Sequence, residues 1–268
     1  MDLQLTGKVA IVTGASRGIG RAIAQTLGAE GMSLVVAARS RDQLEELAAS
    51  IAEVRLKPDS SPATSCLVQA VDLREPGAPA GVVAATVAHF GRLDLLVNNA
   101  GATKRGDFLA LGDADWEDGY RLKFFGAMRC CRAAWPHLQT SQGNIVNIAG
   151  IGGRTGTAEF TIGGTVNAAL LNLTKALADR GVRDGVRVNA INPGSIATER
   201  LQTRLRSFAS ERGIDVSAAE TEMARALGIV RFGEPVEIAR VVAFLDSSQA
   251  ALCHGTIVDV DGGQTRTL

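Results

Sequence analysis

The feature that most constrains the fold of this chain is a regular alternation between short apolar runs and longer segments of helical periodicity. The apolar runs are rich in Val, Ile and Leu on both faces, which is typical of strands buried in a parallel sheet. They lie at Val9–Thr13, Leu34–Ala38, Cys66–Val71, Leu93–Asn98, Asn144–Ile148, Arg187–Ile191 and Ile257–Val260. The helical segments lie at Gly18–Glu30, Arg41–Val54, Ala80–Phe90, Asp115–Gln139, Phe160–Arg180 and Pro235–Ser247. We therefore predict an α/β fold with one doubly wound parallel sheet of about seven strands and helices on both faces.

The length of the chain fits one domain. Its 268 residues, of which 46% are hydrophobic, suffice for one large α/β core. We predict a single domain over residues 1–268. Within it, Thr198–Gly228 is a helical insertion and a candidate lid over the substrate, and Lys57–Thr64 is a surface loop.

Charge and cysteine content exclude several classes of function. Lys+Arg and Asp+Glu both number 28, so the net charge gives no basis for binding nucleic acid or a membrane surface. No apolar run is long enough to span a membrane, and Met1–Lys8 has no apolar core of signal-peptide length. The four cysteines lack the regular spacing of a disulfide framework or a zinc site. We expect a cytoplasmic protein with no metal site and no nucleic-acid or membrane partner.

A glycine-rich turn follows the first predicted strand and leads into a helix. Glycines in such a turn let the backbone approach a pyrophosphate, and the helix N-terminus offers unpaired N–H groups and a partial positive charge. A glycine pattern alone also occurs in structural turns. Its place after the first strand of an alternating α/β chain predicts nucleotide binding. The residues concerned are Gly14, Ser16, Arg17, Gly18, Ile19 and Gly20.

The end of the second predicted strand indicates which nucleotide is bound. Arg39 stands where an acidic residue would accept hydrogen bonds from the adenosine ribose of NAD. A guanidinium suits a 2′-phosphate instead, and Arg17 adds a second cation. We predict a preference for NADP(H) over NAD(H). The alternative is that both are solvated arginines at the starts of helices.

Further motifs, in the same order along the chain, resemble those of the short-chain dehydrogenase/reductase family. Asp72-Leu73 is similar to the adenine-contacting pair, and Asn98-Asn99-Ala100-Gly101 matches the Asn-Asn-Ala-Gly motif. Pro193-Gly194-Ser195-Ile196-Ala197-Thr198 is similar to the segment whose threonine meets the nicotinamide. Arg231-Phe232-Gly233-Glu234-Pro235 and Asp261-Gly262-Gly263 complete the pattern. The resemblance implies a Rossmann-like fold, an NAD(P)-dependent oxidoreductase, and cofactor contacts from Asp72, Leu73, Asn99, Ala100, Gly101, Pro193, Gly194, Ile196 and Thr198.

The catalytic positions of the family hold different residues here. Its Tyr-x-x-x-Lys pair falls on Gly163 and Asn167, its serine on Gly150, and its active-site asparagine on Lys123. The chain has one tyrosine, Tyr120, and no lysine follows it four residues later, so a shifted register does not restore the pair. A positioned general acid contributes about two to four orders of magnitude in rate. The usual mechanism of the family is therefore not expected.

The position of the family's asparagine holds Lys123, and the position of its lysine holds Asn167, so the two residue types are exchanged. This exchange makes Lys123 and Asn167 candidate catalytic residues. Lys123 belongs to a predicted helical stripe that is otherwise apolar or aromatic, formed with Trp116, Tyr120, Ala127, Cys130 and Ala134. An ammonium group on such a stripe needs a partner or a lowered pKa. Lys123 then contacts the nicotinamide ribose, binds an anionic substrate, or donates a proton. The alternative is that it extends past the stripe into solvent.

Two predicted helices carry a second apolar face. On Asp115–Gln139 this face consists of Phe124, Met128, Cys131 and Trp135, and Phe160–Arg180 is likewise apolar on two sides. A helix that covers one side of a sheet needs only one apolar face. We therefore predict a homo-oligomer, a dimer or tetramer, formed through the helices 115–139 and 160–180. The alternative is that the 198–228 insertion covers them.

The sequence leaves three functions open. The first is an NADP(H)-binding oxidoreductase that acts on a carbonyl or alcohol substrate by a non-standard mechanism. The second is a catalytically inactive cofactor-binding protein or regulatory subunit, and the third is a non-redox lyase or epimerase with a bound nucleotide. Five arginines in 198–228 suggest an anionic ligand, but five acidic residues offset them, as on a solvated helical surface.

Overall fold

The computed structural model describes residues 2–54 and 65–266, so the predicted loop Lys57–Thr64 lies outside the described residues. The strands are β1 (Val9–Thr13), β2 (Ser33–Ala38), β3 (Cys66–Ala70), β4 (Leu95–Asn98), β5 (Asn144–Ile148), β6 (Arg187–Pro193) and β7 (Ile257–Val260). The helices are α1 (Gly18–Ala29), α2 (Arg41–Val54), α3 (Ala78–Phe90), α4 (Asp113–Tyr120), α5 (Ala127–Ser141), α6 (Thr161–Asp184), α7 (Glu199–Arg212), α8 (Val216–Leu227) and α9 (Pro235–Asp246). A π-helical segment, Arg121–Gly126, joins α4 to α5.

The strands form one parallel sheet in the order β3-β2-β1-β4-β5-β6-β7. This confirms the predicted doubly wound, Rossmann-like sheet. The strand order reverses between β1 and β4, and ligands of such sheets bind in the crevice outside the carboxyl ends of the strands at this point. The glycine-rich turn after β1 and the segment after β4 therefore border one crevice.

Two apolar clusters attach the helices to the two faces of the sheet. One contains side chains of α1, α2 and α9, and the other contains side chains of α3, α5 and α6. Successive residues of β1 enter different clusters: Ile11 packs on the α3 side and Val12 on the α1 side. Burial on both faces explains why the strands are continuous apolar runs instead of alternating patterns.

The segment between β6 and α9 folds into α7 and α8. These helices pack on each other around their own apolar cluster, formed by Leu201, Leu205, Met223, Ala224, Ile229 and Phe232. Asp215 begins α8 by accepting a hydrogen bond from the Ala218 N–H at 2.8 Å. The Ala197 N–H donates to the Gly233 carbonyl at 2.7 Å, which joins the two ends of the segment at the edge of the sheet. Its role as a lid stays a prediction.

Two of the four residues of the second apolar face predicted on residues 115–139 are accounted for within the chain, while association of subunits through this face stays a prediction. Cys131 is buried, and Trp135 packs against the same cluster. The Trp135 Nε1–H also donates to Asp184 Oδ2 at 2.7 Å, at the end of α6. The intrachain core accounts for these two residues because α5 lies against both α3 and the end of α6. Phe124 and Met128 remain half-buried, and the neighbouring Phe125 is exposed.

Residues 2–54 and 65–266 contain no helix that is both long and apolar enough to cross a bilayer. The same residues contain no group of three His, Cys, Asp or Glu side chains placed to hold a metal ion.

Candidate functional site

The glycine-rich turn approaches the end of β4 too closely for side chains. Gly14 has a φ of +66°, and a Cβ added to it would lie 2.8 Å from the Ala100 Cα. A Cβ on Gly20 would overlap the Gly14 carbonyl. Among the described residues, Arg17 makes no side-chain hydrogen bond that caps α1, so the first N–H groups of the helix remain available to an anion. Ser16 is half-buried in the same turn, and Ile19 packs on the α1 side of the sheet.

Thr13 and Asn99 fasten this turn to β4. The buried Thr13 hydroxyl donates to the Val97 carbonyl at 3.1 Å and accepts from the N–H groups of Asn99 at 3.0 Å and Ala100 at 3.1 Å. The Asn99 side-chain amide donates to the carbonyls of Thr13 at 3.0 Å and Gly14 at 3.1 Å. Asn99 was predicted as a cofactor contact, and here its amide holds the turn. Sequence reasoning missed Thr13, although its place as the last residue of β1 before the turn could have identified it.

The two arginines predicted to meet a 2′-phosphate have different surroundings. Arg39 is exposed at the carboxyl end of β2 and has no carboxylate oxygen within 4.0 Å in the described part of the chain. Arg17 is exposed too, but its Nη1 lies 3.5 Å from a carboxylate oxygen of Glu199. Asp72 accepts a hydrogen bond from the Arg74 N–H at 3.0 Å. Arg39 is therefore the cation more available to a phosphate.

The connection after β6 completes the crevice. Pro193 is the last residue of β6, and the Gly194 N–H donates to the Val260 carbonyl at 3.1 Å. Ile196 is buried and pairs with Gly233 in an isolated bridge. Thr198 is the residue before α7 and lies close to the glycine-rich turn. A Cβ on Gly18 would lie 3.3 Å from the Thr198 methyl carbon. The segments predicted to bind the cofactor after β1, β4 and β6 are thus brought together.

Lys123 lies on the π-helical segment and contacts residues after β4 and β5. Its Nζ donates to the Ala149 carbonyl at 2.6 Å. Its stem lies against Gly101, because a Cβ there would come within 2.8 Å of the Lys123 Cδ. Removal from water lowers the pKa of Lys123 to about 7, and the charge of Arg200 acts in the same direction. Lys123 is therefore held between two strand ends and does not extend freely into solvent.

The predicted stripe of Lys123 is wrong for its two aromatic members. Ala127, Cys130 and Ala134 are buried as predicted. Trp116 and Tyr120 instead line an open depression of about 410 Å³ together with Glu117, Arg121, Phe125 and Arg129. The cause is the π-helical segment, which breaks the α-helical period on which the stripe depends.

Phe160 fills the space beside Gly163. A Cβ on Gly163 would overlap the Phe160 ring, and one on Gly152 would lie 3.0 Å from the same ring. The Arg105 guanidinium carbon lies 4.1 Å from the centroid of this ring. Gly163 is thus required by the position of Phe160, and a tyrosine at 163 could not be accommodated unless Phe160 moved.

Gly150 and Asn167 are packed against each other. Gly150 has a φ of +143°, and a Cβ on it would lie 3.0 Å from the Asn167 Nδ2. Asn167 is buried, and its Oδ1 has no hydrogen-bond partner among the described residues. The structure therefore brings Lys123 and Asn167 into contact with the adjacent residues Ala149 and Gly150, whereas Tyr120 lies at the depression formed with Trp116.

Comparison with known proteins assigns the family. A family model described as enoyl-(acyl carrier protein) reductase matches residues 14–265. The short-chain reductase protein NovJ of Streptomyces niveus is 34% identical over 257 residues, which cover 96% of this chain and 93% of NovJ. The crystal structure of L-sorbose reductase from Gluconobacter frateurii, complexed with NADPH and L-sorbose, matches over 100% of both chains with a TM-score of 0.93 and 33% identity. That of YwfH, an NADPH dependent reductase involved in bacilysin biosynthesis, has a TM-score of 0.88 and 28% identity over 97% of this chain and 99% of YwfH. This chain therefore belongs to the short-chain dehydrogenase/reductase family of oxidoreductases.

Proposed function

We propose that this chain is an NADP(H)-dependent oxidoreductase that interconverts a carbonyl and an alcohol, with Lys123 as its proton donor. The observation that carries the proposal is the position of the Lys123 Nζ, which is hydrogen-bonded to Ala149 within the crevice. The positions of the family's tyrosine and lysine hold Gly163 and Asn167, so another group has to supply the proton. The similar L-sorbose reductase was solved in complex with NADPH, and YwfH is an NADPH dependent reductase, which supports the choice of cofactor.

The residues around the crevice fit a dinucleotide. The turn from Gly14 to Gly20 has no room for side chains where a pyrophosphate would approach the start of α1. Arg39, exposed and without a carboxylate partner among the described residues, would hold the 2′-phosphate. Thr198 would meet the nicotinamide end. When bound, NADPH supplies the hydride, and the remaining chemistry falls to the side chains of the chain.

Lys123 is suited to hold and release one proton near neutral pH. With its pKa lowered to about 7, the ammonium is a much stronger acid than an exposed lysine. Its hydrogen bond to the Ala149 carbonyl orients the Nζ beside the loop after β5. We assign Asn167 a positioning role: its side chain packs on Gly150, and its Oδ1 is an acceptor without a partner among the described residues.

The first test is Lys123→Met, assayed by NADPH absorbance with a panel of ketones and aldehydes. We expect carbonyl reduction to fall by about 10²-fold or more, because the proposed general acid is removed. The NADPH affinity, measured by fluorescence titration, should stay within a few-fold. Lys104→Met is the matched control, since Lys104 is exposed and pairs with Asp115 at 2.9 Å. Unchanged turnover of the Lys123 variant would discard its role.

A second candidate function is a cofactor-binding protein without turnover. The packing of Phe160 on Gly163 favours it, because this ring occupies space that the family's phenol would need. It predicts that NADPH binds and is not consumed with any substrate of the panel. Product formation without net nucleotide consumption would instead indicate a lyase or an epimerase.

We also propose that copies of this chain associate through α4, α5 and α6. The support is the aromatic surface around the open depression, where Phe125 is 40% exposed and stacks edge-on with Phe124 at 5.4 Å between ring centroids. In addition, we propose that α7 and α8 act as the substrate lid. A cytoplasmic location stays a prediction from the sequence.

A further inference from the structure

Three arginines come together beside the crevice, on two different segments. Arg105 follows β4, whereas Arg200 and Arg204 lie on the first turns of α7. The Arg200 Nη2 donates to the Gly101 carbonyl at 3.4 Å. Partial removal from water lowers the pKa of Arg105, and the charges of Arg204 and Arg200 lower it further. Side chains that are distant in sequence thus lie near enough for their like charges to interact.

The charges of this cluster are not balanced by nearby acids. Within the described residues, none of the three guanidinium groups has a carboxylate oxygen within 4.0 Å. The carboxylate of Glu159 raises the pKa of Arg105, whereas the charges of Arg204 and Arg200 lower it. Lys123, when protonated, adds further positive charge because it interacts with Arg200, and Arg17 also interacts with Arg200 but has a carboxylate oxygen of Glu199 at 3.5 Å. Like charges held together without partners create a positive potential that attracts anions.

The structure fixes the orientation of Arg105. Its guanidinium lies over the Phe160 ring, 4.1 Å from the ring centroid. The Gly106 N–H donates to the Glu159 carbonyl at 3.2 Å, which ties the Arg105 segment to the residue before Phe160. A guanidinium stacked on an aromatic ring keeps its N–H donors in a fixed plane, the arrangement that suits carboxylate and phosphate oxygens.

We propose that Arg105 and Arg204, with Arg200, bind a carboxylate or phosphate group carried by the substrate. This inference rests on the proposed function and names its substrate class as anionic carbonyl compounds. Gly101 connects the cluster to the chemistry: its carbonyl accepts from Arg200, and the Lys123 stem lies against it. An anion on the arginines therefore lies near the proposed proton donor. Arg200 also interacts with Arg17 of the glycine-rich turn, so a substitution of Arg200 would not separate an effect on substrate binding from one on cofactor binding. Arg105 and Arg204 are therefore the residues to substitute.

The first experiment measures anion binding without catalysis. Malonate and inorganic phosphate are titrated into the protein, with and without NADPH, by isothermal titration calorimetry. We expect the doubly substituted Arg105→Gln/Arg204→Gln protein to bind the preferred anion at least about tenfold more weakly. Arg206→Gln/Arg225→Gln removes the same two charges from exposed positions of α7 and α8 and is the charge-matched control, whose affinity should stay within about twofold. Tighter malonate binding indicates a carboxylate substrate, and tighter phosphate binding a phosphorylated one.

The second experiment measures selectivity between levulinate and methyl levulinate, which differ in their charge. We expect wild-type protein to prefer the keto acid in kcat/KM, and the double variant to lose at least about tenfold of that preference through KM. Anion binding that depends on the arginines, with no turnover of any carbonyl compound, supports this inference and overturns the proposed function. Equal use of acid and ester, with anion binding unchanged in the double variant, overturns the inference and leaves the proposed function standing.

Discussion

In the proposed mechanism, the acid in the crevice is the ammonium group of Lys123 instead of a tyrosine phenol. A tyrosine phenol and a lysine ammonium both have pKa values near 10 in water. Burial disfavours the charged form of each group. It therefore raises the pKa of a phenol, whose charged form is the phenolate, and lowers the pKa of a lysine, whose charged form is the ammonium. Removal from water therefore makes Lys123 a stronger acid, with a pKa of about 7, where it would make a phenol a weaker one. A lysine that is partly removed from water can thus release a proton at neutral pH without the neighbouring cation that a phenol would need.

The proposed role of Lys123 predicts opposite pH profiles for the two directions of the reaction. Carbonyl reduction needs the ammonium form, so its kcat/KM should be constant below a pH of about 7 and fall about tenfold per pH unit above it. Alcohol oxidation needs the neutral amine and should lose rate as the pH falls below about 7. Initial rates measured between about pH 5.5 and 9 test both profiles. A flat profile in both directions, or the same inflection in residual activity of Lys123→Met, would assign the proton to another group.

Arg39 should determine the preference between the two nicotinamide nucleotides. Arg39→Gln removes a charge-assisted contact with the 2′-phosphate, and such contacts contribute about 1.5–3 kcal/mol. We expect the Kd for NADPH to rise about ten- to a hundredfold, while the Kd for NADH changes little. Fluorescence titration of both nucleotides measures this, with Arg132→Gln on α5 as a control of equal charge. If both nucleotides lose affinity equally, the preference for NADP(H) does not come from Arg39.

At the scale of the elements, the glycine-rich turn depends on Thr13. Thr13→Val keeps the shape of the side chain but leaves the partly buried N–H groups of Asn99 and Ala100 without this acceptor. A fully buried unsatisfied group costs about 1–3 kcal/mol, and water partly reaches these two groups, so we expect urea unfolding to show a loss of about 1–3 kcal/mol and NADPH to bind more weakly. Thr203→Val, on the exposed side of α7, is the control and should change stability by less than about 0.5 kcal/mol. Equal stability of the two variants would show that the turn is held by Asn99 alone.

The elements themselves were predictable from the sequence, because strands buried on both faces leave continuous apolar runs. The predicted and observed bounds agree for Val9–Thr13, Asn144–Ile148 and Ile257–Val260. β6 extends beyond the predicted Ile191 because Asn192 and Pro193 pair with β7, a contact that the local pattern does not contain. The π-helical segment was not predictable either, because a single π-helical turn interrupts the α-helical period on which the sequence pattern depends.

The cofactor half of the site was more predictable than the catalytic half. The glycine-rich turn is a local signal, in which spacing along six or seven residues fixes the geometry. The hydrogen bond from Lys123 to Ala149 joins the π-helical segment to the end of β5, so only the tertiary fold brings the two together. The Phe160 ring was not predicted beside Gly163, because the turn from Ala158 to Phe160 decides where that ring lies.

At the scale of the whole molecule, a chain of zero net charge brings several positive groups to one edge of its sheet. Lys+Arg and Asp+Glu both total 28, yet Arg17, Arg39, Arg105, Arg200 and Lys123 all border the crevice or its ends. The parallel sheet causes this arrangement, because every connection after a strand leaves from the same edge. Bulk charge therefore gave no indication of anion binding, although the local charge favours it.

Association of whole molecules is the last property that the surface predicts. Phe125 is 40% exposed on the segment that borders the depression, and an aromatic side chain of this kind is typical of an interface. We expect light scattering to give the wild-type protein a mass that is a multiple of 27.9 kDa, and Phe125→Asp to shift it toward 27.9 kDa. Val230→Asp is the control, because Val230 is 97% exposed in the loop after α8 and outside the proposed interface. A wild-type mass of 27.9 kDa would contradict the assembly, and two equally dissociated variants would place the interface elsewhere. An assembly that depends on Phe125 would place the π-helical segment, which also carries Lys123, at the contact between subunits.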